Sequence, residues 1–171
     1  MSDIRQNSMS KEDEKQEIES KSKAAARAME LFRRGYNCSQ AVLCAFTEDL
    51  GLDIDTASRL ASSFGGGMGR MREVCGAVSG MFMVAGLACG YSDPKAYEEK
   101  AQHYERIQML ANEFKKLNGS IICRVLLGLS VSESGNPIPE KRTDEYYKKR
   151  PCEILVGQAA MLLDEYIMSK S

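Results

Sequence analysis

The chain has no Trp and a single His, His103, among 171 residues. It also lacks a charge excess of either sign: 23 Lys+Arg face 24 Asp+Glu. A protein that binds nucleic acid through counterion release carries a basic surplus, so that class is excluded. Composition also excludes collagen-like, disulfide-scaffold and wholly disordered chains. The first residues, Met1-Ser2-Asp3-Ile4-Arg5-Gln6, contain no apolar stretch of the kind a secretory signal needs. The expected location is therefore the cytoplasm, where thiols stay reduced.

The cysteines also lack certain spacings. No Cys-x-x-Cys occurs, which leaves no local thioredoxin-type dithiol or zinc ribbon. No Cys-x-x-Cys-His occurs, so there is no haem attachment motif. What the chain does have is six Cys. In a reducing compartment these are packed, metal-binding or catalytic rather than permanently crosslinked.

Length predicts one domain, large enough to fold without staples. Residues 1–22 are polar and read as a flexible tail. Residues 23–168 read as an all-α, single-domain bundle of about six to eight helices, since no segment alternates with period two. The first helix runs from Ala24 to the stop at Gly35. Asn37 caps the second, with Gln40 three residues on, and Gly51 ends it. Asp55 is expected to cap a third, through Phe64, stopped by Gly65-Gly66-Gly67-Met68-Gly69. A fourth helix runs from about Val74 to Cys89. Asp93-Pro94 is read as the start of a long helix to about Leu117, and Ser120 as the opening of a shorter one through Leu127. Gly128 to Arg150 is a long loop, a type that often carries function, with a short helix from Thr143. Pro151 opens the last helix, Cys152 to about Met168.

Val74 to Ser92 carries no charged residue and is long enough for a membrane span. It lacks aromatic anchors at both ends, so a central helix buried on all sides is the better reading. Its small-residue face, with Gly76 and Gly80, lets neighbouring backbones approach and could serve a homodimer.

On this map Cys38, Cys75, Cys123 and Cys152 each fall at the start of a different helix. Unpaired N–H groups and about half a positive charge gather there and favour the thiolate. Arg70 and Arg72 before Cys75, and Arg150 before Cys152, act in the same direction. Cys44 is mid-helix and Cys89 near a helix end, which makes both inert. Against this stands the tendency of Cys to pack as a small hydrophobe. If the four converge, they can form redox disulfides or hold a thiolate-bound metal or an iron–sulfur cluster. The glycine run is either an anion-binding nest or a tight turn that brings the chain close to the bundle. His103 reads as an ordinary helix residue, and the methionines as core filling.

Gly35-Tyr36-Asn37-Cys38-Ser39-Gln40-Ala41-Val42, the glycine run through Arg70, Cys75-Gly76-Ala77-Val78-Ser79-Gly80, and the later lone Cys123 and Cys152 resemble the C_GCAxxG_C_C family of redox-active proteins. The resemblance covers about Ala24 to Met168. It implies that the family's four cysteines fall on Cys38, Cys75, Cys123 and Cys152, the set the helix map picks out. Cys44 and Cys89 have no counterpart. A related domain is joined to haem-binding sequence in split-Soret cytochromes; this chain has no such attachment site. The implied role is dithiol/disulfide exchange or electron transfer with a redox partner protein. Metal binding without turnover, or helical interaction with inert cysteines, stay open beside it.

Overall fold

The structure is a computed structural model that describes residues 9–133 and 135–170. It is all-α, and among the described residues seven helices reach eight residues or more. In chain order these are α1 (Lys11–Lys21), α2 (Lys23–Arg33), α3 (Cys38–Ala45), α5 (Ile54–Ala61), α7 (Gly76–Cys89), α8 (Tyr97–Asn118) and α11 (Cys152–Met168). Short turns of helix lie between them: α4 (Thr47–Leu50), α6 (Gly65–Met68), α9 (Cys123–Leu126) and α10 (Asp144–Lys149).

The centre is a stack of α2, α3, α7 and α11, and each packs against at least two of the others. Phe32, Met29, Leu43, Met81, Val156 and Leu163 are fully buried there. Each such side chain contributes roughly 1.5–3 kcal/mol relative to exposure. Helix α7 meets α3 so closely because glycine faces it. A Cβ on Gly80 would lie 2.8 Å from the Ser39 carbonyl oxygen and 2.9 Å from Val42 Cβ. A Cβ on Gly76 would lie 2.9 Å from the Phe64 carbonyl oxygen. The small-residue face that sequence offered to a second copy is thus packed inside this chain. Helix α8 covers α7 and α11 through Leu110 and Phe114. Among the described residues no helix is long and apolar enough to cross a membrane.

Residues 11–21, within the stretch read as a tail, form α1 against α2 and α11. Its only buried residue is Ile18, so polar contacts hold it. Lys15 reaches the buried Glu153 carboxylate at 3.1 Å, Arg33 joins Glu19 at 3.0 Å, and Gln158 donates to Glu14 at 3.1 Å. Residues 1–8 of that stretch lie outside the described residues.

Three helix starts differ from expectation, each for a local reason. Asp53, not Asp55, caps α5 and accepts from the backbone N–H of Asp55 and of Thr56, both at 3.0 Å. Asp93 accepts from Lys95 N–H at 2.8 Å, so Asp93-Pro94 spends its capping oxygen on a turn and α8 begins only at Tyr97. Ser120 likewise takes Ile122 N–H at 3.0 Å, and Ile122 is extended (φ −93°, ψ 125°) rather than helical. Ile122 instead forms an antiparallel bridge with Val74. Both are β-branched and lose side-chain freedom in a helix, and that lowers the cost of the extended state.

A candidate thiol site at one end of the bundle

Two long helices begin side by side with cysteine as their first residue. At α3 the capping box is complete: Gln40 N–H donates to Asn37 Oδ1 at 2.9 Å and Asn37 N–H to Gln40 Oε1 at 3.0 Å. This fixes the chain direction at Cys38. At α11 Pro151 supplies the preset φ of a helix entry, −79°, and Cys152 follows. The Cys38 and Cys152 thiols adjoin closely enough to shift each other's ionisation.

The other two cysteines are brought together by the bridge. Cys75 N–H donates to the Ile121 carbonyl at 2.8 Å, Cys123 N–H to that of Glu73 at 2.6 Å, and Arg124 N–H to that of Arg72 at 3.2 Å. Cys75 and Cys123 sit one residue beyond Val74 and Ile122, on the same face of the paired segments. All four cysteines line one cavity of about 270 Å³.

The glycine run forms one wall of that cavity, and its backbone is left-handed. Gly66, Gly67, Met68, Gly69 and Arg70 have φ of 64°, 70°, 63°, 60° and 67°, and Arg72 follows at 63°. Left-handed backbone costs a non-glycine residue roughly 1–2 kcal/mol, so Met68, Arg70 and Arg72 store strain here. Glycine is also needed for space. A Cβ on Gly67 would lie 2.6 Å from Cys123 Cβ and one on Gly65 2.5 Å from the Asn37 side chain. Of the two readings of this run, close approach to the bundle is thus realised.

Arg72 is only 6% exposed, and its Nη1 lies 3.8 Å from the Cys123 sulfur. Arg70, also on the cavity wall, donates from Nε to the Asn136 carbonyl at 2.8 Å. The opposite wall comes from the loop before α10. Arg142 stacks on the Phe32 ring, 4.2 Å from its centroid, and donates to the Tyr36 carbonyl at 3.0 Å. Glu140 pairs with Arg150.

The four sulfurs ionise unequally. Cys152 is held below the usual thiol range by the neighbouring Cys38 thiol and then by Arg150, Arg142 and Arg72, against the cost of burial. Cys38 is raised well above it, first by the adjoining Cys152 sulfur and then by burial. Burial pushes Cys75 up to about 12, although the Ala77 and Val78 backbone N–H groups pull it down. Burial also raises Cys123, against the pull of Arg72. The expectation that all four helix starts favour the thiolate is therefore corrected. Desolvation outweighs the helix end at Cys75, and Arg72 serves Cys123 and Cys152 instead. Burial raises the Tyr146 phenol, on the cavity wall, to about 12.

Cys44 is fully buried beside Ser58 Oγ at 3.4 Å, and Cys89 ends α7; neither lines the cavity. His103 lies in α8 with a ring nitrogen 2.9 Å from Arg106. Among the described residues no group of three or more His, Cys, Asp or Glu side chains is arranged to hold a metal ion. Sequence reading missed Arg142 and Tyr146; the length of their loop was the only signal.

No curated protein and no solved structure matches the chain. A family profile matches residues 36–166 and so spans all four cysteines, the glycine wall and the arginine loop. On that match the chain belongs to the family described as "Putative redox-active protein (C_GCAxxG_C_C)".

Proposed function

We propose that the protein is a dithiol–disulfide exchange protein in which Cys152 attacks and Cys38 resolves. The observation that carries this reading is the meeting of Cys38 and Cys152, the first residues of α3 and α11, in one cavity, where the two thiols are shifted in opposite directions. Neighbouring thiols are poised for one disulfide, and the arginines around Cys152 favour it as the attacking thiolate.

In the reductive direction the Cys152 thiolate attacks one sulfur of a partner disulfide. That S–S bond breaks, a mixed disulfide forms at Cys152, and the leaving thiolate takes a proton from solvent. Cys38 then gives up its proton and attacks the Cys152 sulfur. The second partner thiolate departs and is protonated, leaving Cys38–Cys152 oxidised and two thiols released. A reducing compartment such as the cytoplasm would restore the dithiol. Cys75 and Cys123, held as neutral thiols, complete the set; they would ionise only if a metal or cluster recruited them.

The test is thiol titration and disulfide mapping of the intact protein under a graded glutathione couple. A reversible Cys38–Cys152 disulfide is expected. Six thiols that stay free and unreactive throughout would overturn the proposal. Anaerobic preparation with metal analysis separates the second reading, which rests on four sulfurs facing one cavity. Stoichiometric iron with visible charge-transfer absorption, and loss of thiol exchange when it is bound, would replace dithiol chemistry by a cluster.

A further inference from the structure

The cavity that holds the four cysteines is strongly cationic. Arg70, Arg72, Arg142 and Arg150 line it, against the single carboxylate of Glu140. Glu140 is taken up by Arg150. The polar partners of Arg70 and Arg142 are backbone carbonyl oxygens. Arg72 is 94% buried by its 6% exposure, and its hydrogen-bond partner is a sulfur. Among the described residues none of these three guanidinium groups is ion-paired with a carboxylate. A buried guanidinium without an anion is costly, and its planar fork matches the oxygens of carboxylates and oxyanions. The Cys152 thiolate offsets one charge and leaves an excess. The glycine wall (Gly65, Gly66, Gly67 and Gly69) adds bare backbone where side chains would otherwise fill the space.

We propose that this cavity binds a small anion, carboxylate or oxyanion, between Arg72, Arg70 and Arg142, and that the substrate exchanging with the Cys38–Cys152 pair carries that anionic group. The substrate role rests on the dithiol reading above; the anion site rests on the arginines alone. The ligand sits where a reacting sulfur attached to it would meet Cys152. A neutral substrate of the same shape would leave the arginines unpaired, and buried unpaired charge is what gives a site its selectivity.

Two measurements on the reduced, full-length protein test this. Calorimetric titration with sodium sulfate and with sodium malonate, at constant ionic strength in chloride, separates the two sources of the anion. One saturable site is expected for at least one of them. Arg70→Gln and Arg142→Gln should each weaken it about tenfold, while Arg59→Gln, exposed on α5, leaves it unchanged. Cys152 alkylation is then compared for iodoacetate and iodoacetamide, which differ in charge but share the reaction. Relative to free cysteine, the protein should favour the anionic reagent, saturably, and Arg70→Gln should abolish that preference. Arg72→Gln is informative if it folds, and the other two variants decide the matter if it does not. No binding of either anion, together with a free-thiol reagent ratio, overturns the site even where the Cys38–Cys152 disulfide forms normally. Anion binding beside inert thiols confirms the site and overturns the dithiol reading instead.

Discussion

Cys38 and Cys152, the first residues of α3 and α11, meet in one cavity, and their thiols shift each other's ionisation in opposite directions. A thiolate stabilised this way keeps its charge at lower pH than an ordinary cysteine, whose value is 9.0. The rate of Cys152 alkylation, followed peptide by peptide, should therefore rise through an inflection below the ordinary thiol value. Cys38→Ala removes the neighbouring thiol and should move the inflection up. Cys38→Ser keeps a donor and should restore most of the depression. An inflection that ignores both changes would show that the arginines alone set it.

Cys75 gives the opposite pH signature. Its folded-state pKa is raised to about 12 from an ordinary value of 9.0. The folded state therefore holds a proton that the unfolded chain releases. The stability this provides is complete below 9.0, erodes as pH rises above it, and is gone near 12. For one proton the slope in that window is about 1.4 kcal/mol per pH unit. Denaturant unfolding from pH 8 upward should show Cys75→Ala losing stability less steeply than the parent, although it starts lower. Parallel slopes would mean that the Cys75 thiol ionises as easily when folded as when unfolded.

What sequence could reveal here depended on how local the physics was. The Asn37–Gln40 box, the Pro151 entry to α11 and the Thr143 cap of α10 were legible because each needs residues within one turn. The gathering of Cys38, Cys75, Cys123 and Cys152 was legible only as a coincidence of helix starts, although it is correct in space. The Val74–Ile122 bridge was not legible, because Ser120 caps a helix and opens a turn with the same oxygen. Arg142 was signalled only by the length of its loop. Its place on the cavity wall depends on the Phe32 ring and the Tyr36 carbonyl, both far away in the chain. Ionisation was misjudged at Cys75 because a helix N-terminus can be read from sequence whereas burial cannot.

Glu153 adjoins Cys152 and is almost fully buried, with Lys15 at 3.1 Å and Arg33 at 2.7 Å. It ties the polar helix α1 to the bundle. Glu153→Gln keeps the shape but removes the charge that both cations face. Lys15 and Arg33 are partly solvated, so the loss should be about 1–3 kcal/mol, below that of a fully buried pair. Hydrogen exchange should show α1 amides losing protection first while α3 and α7 keep theirs. Uniform loss across all helices would mean that Glu153 supports the core as a whole.

Gly67 tests whether the left-handed wall positions Cys123. Its φ is +70°, and a Cβ there would lie 2.6 Å from Cys123 Cβ and 2.9 Å from Glu73 N. Neither neighbour can swing away as the end of a long side chain would, and the Glu73 carbonyl already holds Cys123 N–H. Gly67→Ala therefore combines a backbone penalty with overpacking and should cost about 2–4 kcal/mol. Gly119→Ala is the control: it has positive φ, +80°, but nothing within 4 Å, so only the backbone share of about 1–2 kcal/mol remains. The difference between the two losses in urea isolates the contact with Cys123. The Gly67 variant should also expose Cys123 to alkylation under native conditions, since the bridge that carries it must shift. Equal losses in the two variants, with Cys123 still protected, would leave the wall with no part in placing that sulfur.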